Sequence, residues 1–101
     1  HKTAQVIPVV MPYLQDHDDD VRVKVMDLLD GRIKKGDDNY NGLIDGLVGV
    51  LRDPHASGRI TRRAASFLSG LNTDLSKRAD EISEFVPDGY VLGTNGRLSG
   101  R

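Results

Sequence analysis

The chain has 101 residues, no Cys, and fourteen Lys/Arg against fifteen Asp/Glu, a net charge of −1. That length holds one domain, and the missing Cys excludes disulfides, thiolate metal sites and a cysteine nucleophile. The near balance of charge gives no bulk pull toward nucleic acid or a membrane surface.

The first apolar segment runs from about Val6 to Gln15 and places Ile7, Val10, Met11 and Leu14 at helical spacing. Pro8 fits a first helical turn, whereas Pro12 deletes an interior N–H and should kink or shorten the helix. An acidic run, Asp16-His17-Asp18-Asp19-Asp20, follows, and Asp20 is the expected N-cap of the second helix. There Val21, Val25, Leu28, Leu29 and Ile33 share one face. Val21 to Val25 also alternates like a strand, but the continuation through Ile33 favours a helix. The third segment, about Leu43 to Arg52, aligns Leu43, Ile44, Leu47, Val48 and Leu51 and stops at Pro54. Gly46 and Gly49 each weaken it by about 1 kcal/mol relative to Ala, so tertiary packing has to hold it.

The fourth segment, about Arg59 to Leu71, aligns Ile60, Ala64, Phe67, Leu68 and Leu71, with Gly70 expected to end it. The fifth starts near Thr73 or Asp74, uses Leu75, Ala79, Ile82 and Val86, and ends at Pro87. In the tail, Tyr90-Val91-Leu92 and Arg97-Leu98 flank Gly93-Thr94-Asn95-Gly96. Asn-Gly between apolar runs signals a hairpin, although runs this short equally suit a docked or mobile tail.

Ile7, Val10, Leu14 and Asp16 recur 37 residues later as Ile44, Leu47, Leu51 and Asp53. Val21, Val25, Leu29 and Gly31 recur 39 residues later as Ile60, Ala64, Leu68 and Gly70. Two helices per unit at this period is the sequence sign of an α-solenoid. Over Val6 to Leu71 the chain resembles the HEAT-repeat family. An early Pro8 opens the first helix, Asp16 and Asp20 lie in an Asp-rich turn, and Val21-Arg22 opens the second helix. The second unit departs from that pattern, with Ile60-Thr61 in place of Val-Arg and no opening Pro. The resemblance implies a scaffold that binds a partner, commonly protein, and supplies no catalytic residues. The expected fold is therefore all-α. Two HEAT-like antiparallel helical pairs (6–35 and 43–71) form one domain over 1–101, with a capping helix (74–86) and a short tail (87–101).

Asp37, Asn39, Asn41, Gly42 and Asp45 match positions 1, 3, 5, 6 and 9 of an EF-hand loop, where hard Ca²⁺ takes alternate oxygens and Gly permits the turn. The twelfth position, which needs a bidentate carboxylate, is Val48. Turn and cap chemistry explains the same residues, and it explains the Asp16–Asp20 run, whose adjacent carboxylates repel rather than converge. Arg59, Arg62 and Arg63 form a basic start to the fourth helix, with no aromatic interleaved for base stacking.

The reading is a non-enzymatic protein-binding module, without cofactor or small-molecule substrate. Its partner, another protein or a second copy, is expected to meet Val6, Val10, Met11, Arg59, Arg62 and Arg63. A calcium-binding helix–loop–helix at residues 37–48 (Asp37, Asn39, Asn41, Asp45) is the second reading, and nucleic-acid binding through residues 59–63 the third. No apolar run approaches the roughly 20 residues that span a bilayer, which points to a soluble protein, and the absence of Cys suits a cytoplasmic one. The chain opens on His1 rather than Met, so the natural polypeptide is expected to be longer.

Overall fold

A computed structural model describes residues 2–101, with side chains described from Val6 onward. Helix α1 (Lys2–Val10) runs into a 3-10 turn (Met11–Gln15), then α2 (Asp19–Leu29), α3 (Tyr40–Arg52) and α4 (Gly58–Leu71) follow. The change from α to 3-10 winding falls beside Pro12, which cannot donate to the α ladder. Pro8 lies inside α1 rather than in its first turn, because the helix begins at Lys2.

Two helix ends differ from the sequence expectation. Asp18, not Asp20, caps α2: its carboxylate accepts from the backbone N–H groups of Asp20 and Val21 at 2.8 and 3.4 Å. Asp20 thus falls in the first turn, where its charge suits the helix dipole. Helix α4 passes through Gly70 to Leu71 and is closed by Asn72 in the left-handed region (φ 52°). Asn tolerates that conformation better than other side chains, so Gly was not required.

The Met11–Gln15 turn packs on both α2 and α3, α3 on α4, and α2 on α4. Close approach of the first two explains the glycines of α3. Met11, Leu14 and Gln15 lie over Gly42, Gly46 and Gly49 in that order, so the two segments run parallel. A Cβ at Gly46 would stand 2.7 Å from Leu14 Cδ1, and Gln15 Nε2 donates to the Gly46 carbonyl at 3.0 Å. The glycines that weaken α3 as an isolated helix therefore admit its neighbour.

This gives an opposed pair of expectations. Gly46→Val should cost about 1–3 kcal/mol by overpacking buried Leu14. Gly70→Ala, where a Cβ meets nothing within 4 Å, should instead stabilise α4 by up to about 1 kcal/mol. Urea denaturation of both variants checks the contrast.

The expected continuous helix over 74–86 forms as three short pieces. These are a 3-10 turn (Ser76–Arg78), α5 (Ala79–Ile82) and a second 3-10 turn (Ser83–Phe85). Leu75 and Ile82 alone are fully buried, so the stripe is too thin to hold one long helix. The fold is mostly helical but not all-α. Strands β1 (Tyr90–Leu92) and β2 (Leu98–Gly100) pair antiparallel, with Leu92 opposite Leu98.

The hairpin is docked rather than free. Strand β2 packs on α4, Leu98 joins the core, and the Gly96 carbonyl accepts from Leu75 N–H at 2.7 Å. Gly96 is buried at φ 79°, and a Cβ there would stand 2.7 Å from Ser76 N, so glycine alone fits. One apolar core runs from Ile7 and Leu14 through Val25, Leu29, Leu47, Leu51 and Leu68 to Ile82 and Leu98. The radius of gyration, 12.8 Å, is that of one compact domain of about 100 residues.

Candidate interaction surface

The two repeated segments carry matched turns. Asp16 and Asp53 each close a first-helix segment with extended backbone, and each donates its own N–H three residues back, to Tyr13 and Val50. Each Oδ1 also accepts from the N–H two residues on, in Asp18 and His55, at 2.8 Å. The turns differ in one contact. Arg22, the most buried charged side chain described, reaches from α2 to Asp53 Oδ2. That hydrogen bond, with the His55 N–H second, holds the Asp53 carboxyl below its ordinary value.

The basic start of α4 is largely occupied within the fold. Arg59 pairs with Asp20 at 3.4 Å, while Arg63 donates to Asp27 and Asp30 at 2.9 and 3.1 Å and lies over the Phe67 ring. Burial works against the charge on Arg63, but the two carboxylates outweigh it and raise its pKa. These pairs join α4 to α2, with Arg59 and Arg63 meeting successive acids of the parallel neighbour. Arg62 is exposed and has no ion pair among the described residues. The three arginines therefore do not converge on a common outward-facing cluster.

The 37–48 segment does not take an EF-hand course. Helix α3 already begins at Tyr40, so Asn41, Gly42 and Asp45 are helical and Gly42 makes no turn. Asp37 accepts from Lys34 N–H at 2.8 Å, the Asn39 side chain makes no capping bond, and Asp45 accepts from Arg78. Among the described residues, no three His, Asp or Glu side chains gather closely enough to share a metal ion. Calorimetric titration should find no calcium binding tighter than about 10⁻³ M. Micromolar affinity abolished by Asp37→Ala would overturn that expectation.

Two open clefts meet at Tyr40, whose buried hydroxyl has no hydrogen-bond partner among the described residues. One is bordered by Ile33, Lys34, Lys35 and Leu71, the other by Asp45, Thr73, Lys77 and Arg78. No helix among the described residues is long and apolar enough to cross a membrane.

The outward side of α1 and the Met11–Gln15 turn is different in kind. Val9 is 65%, Tyr13 50% and Val6 42% exposed, with Pro8 and Pro12 also on the surface. Of the residues expected to meet a partner, Val6 is exposed, while Val10 and Met11 are half-buried against the core. From Thr3 to Gln15 no residue is charged, in a chain 29% charged overall. The apolar stripe pointed to Val6, Val10 and Met11 but missed Val9 and Tyr13. The available signal was apolar residues lying off the buried stripe in an uncharged run, which marks a second face. No protein-family model, curated protein or solved structure matches this chain.

Proposed function

We propose that this chain is a non-enzymatic module of HEAT-like helical pairs that binds another protein through the outward side of α1 and the Met11–Gln15 turn. The observation that carries the reading is the uncharged, exposed strip of Val6, Val9, Pro12 and Tyr13. Contiguous exposed apolar surface of this kind marks interaction sites, and Tyr is enriched in them. The HEAT-like part is supported by the matched Asp16 and Asp53 turns and by parallel stacking of first helix on first and second on second. Lack of cysteine suits a cytoplasmic setting. Nucleic-acid binding is the weaker reading, because Arg59 and Arg63 already neutralise acids of α2.

Photo-crosslinking from position 13, with capture on immobilised wild type and Val9→Asp, tests the proposal. Val9→Asp should lose specific partners by tenfold or more, roughly the effect of burying an unpaired charge at an interface. Its melting temperature should stay within a few degrees of wild type, since surface substitutions change stability by only about 0.5 kcal/mol. Partners retained equally by both proteins would sink the reading.

A further inference from the structure

We propose that Asn95 is a modification site controlled by the fold. The Gly96 nitrogen converts its side chain to isoaspartate when the β1–β2 hairpin lifts from α4, and the product keeps the hairpin off. This does not depend on the protein-binding reading. Asparagine is among the labile side chains, and a following glycine, with no Cβ, leaves its own nitrogen open to attack the side-chain amide. Asn41–Gly42 and Asn95–Gly96 are the two such pairs in the sequence.

The chemistry balances with water as the only co-reactant. A bond forms between the Gly96 nitrogen and Asn95 Cγ, the Gly96 N–H proton passes to the departing side-chain nitrogen, and ammonia leaves. Water then opens the five-membered imide. Breaking its Cγ–N bond gives aspartate on an unchanged main chain. Breaking the bond to the main-chain carbonyl gives isoaspartate, which routes the chain through Cβ and Cγ and lengthens it by one methylene.

In the docked hairpin both reacting groups are held. Gly96 N–H donates to the Gly93 carbonyl at 3.0 Å, and the Asn95 side-chain oxygen accepts from Arg97 N–H at 3.0 Å. Ring closure needs the Gly96 nitrogen freed of its proton and the amide carbon brought onto it, so both bonds have to break first. The hairpin can open alone. Of the residues in β1 and β2 only Leu98 is buried. The other anchors are the Leu75 N–H to Gly96 carbonyl bond at 2.7 Å and Arg97 Nε, which donates to the Asn72 carbonyl at 3.4 Å. A segment with so few buried contacts opens locally at less cost than the core. Asn41–Gly42 lies in α3 beside Leu43 and Ile44, both core residues, so freeing it breaks the centre of the fold.

Only isoaspartate blocks the return. Gly96 is buried, and a Cβ there would already stand 2.7 Å from Ser76 N. No space takes up an added methylene, so Gly96 and Leu98 cannot both regain their seats. Aspartate at position 95 keeps the chain path and an oxygen for Arg97 N–H, and it docks as asparagine does.

Incubation of the full chain at mildly alkaline pH, followed by peptide mapping that separates aspartate from isoaspartate, tests this. Loss of the Asn95 amide should run about tenfold or more slower in the folded chain than in urea, and Leu98→Ala should close most of that gap. The folded-versus-urea comparison of wild type decides even where Leu98→Ala fails to fold. Trypsin should cleave the isoaspartyl chain after Arg97 about tenfold faster than fresh wild type, while Asn95→Asp stays as resistant as wild type. Equal rates in the folded chain and in urea overturn the inference. So does modification of Asn41 ahead of Asn95 in the folded chain, or an isoaspartyl chain no easier to cleave than Asn95→Asp.

Discussion

Leu68→Ala is expected to lower the free energy of unfolding by roughly 2–5 kcal/mol, and Leu29→Ala by a similar amount. Both side chains are essentially inaccessible and belong to the one core that joins α2, α3, α4 and α5. Leu29 comes from α2 and Leu68 from α4, which pack on each other. Truncating either leaves a cavity in the seam rather than at an edge. A domain of this size has roughly 5–15 kcal/mol in total, so either change should move the urea midpoint far without altering the denaturant slope. Leu28→Ala, on the exposed side of α2, serves as control and should cost under about 1 kcal/mol. If Leu68→Ala unfolds at the wild-type midpoint, the core described for α4 is wrong.

The second large effect is expected at the ion pair between the units. Asp53→Ala strands Arg22, whose side chain is 3% exposed and whose Nε already lacks a partner among the described residues. The cost should approach the roughly 3–5 kcal/mol of breaking a buried pair. It should fall at the lower end, because 19% of the Asp53 side chain still reaches water. Arg22→Met, which removes the buried charge and keeps an apolar stem, should cost clearly less. An Arg22→Met variant less stable than Asp53→Ala would refute this account.

The same pair sets a pH dependence whose sign follows from Asp53. Its folded pKa lies below the ordinary value of 3.8, mainly through the Arg22 hydrogen bond. Below 3.8 the unfolded chain binds the proton more readily than the folded one, so falling pH favours unfolding. The pair's contribution is therefore fully present above the ordinary value and is lost as pH falls through the depressed folded one. The stability difference between wild type and Asp53→Asn should be flat above about pH 5 and shrink below about pH 4.

Much of the helical content was legible from local pattern. Leu43 to Leu51 and Ile60 to Leu71 repeat apolar residues at the helical period, and that period alone forces one face inward. The repeated Asp16 and Asp53 likewise announced matching turns, because an Asp side chain satisfies nearby backbone N–H groups wherever a helix ends. The helix caps were less legible. Asp16, Asp18, Asp19 and Asp20 are chemically alike, and only the path of the chain selected Asp18.

The remainder depended on contacts between distant residues, which local periodicity does not encode. Gly46 and Gly49 read as defects of α3 until Leu14 and Gln15 were found against them. Arg59 and Arg63 read as a basic surface until α2 brought Asp20, Asp27 and Asp30 beside them, 33 to 39 residues away in sequence. The tail became a hairpin because Leu98 could enter the core and Gly96 could seat on Leu75. The sequence by itself determined where α3 and α4 form and which stripe each buries, since both follow from backbone period and water's exclusion of apolar groups. It placed Leu28 on the buried face of α2 and extended that helix to Ile33, whereas the helix ends at Leu29 and buries Met26 and Arg22. Only the tertiary structure decided which charges are spent internally and which apolar face stays open, because neighbours supplied by the fold, not the residues' own type, set both.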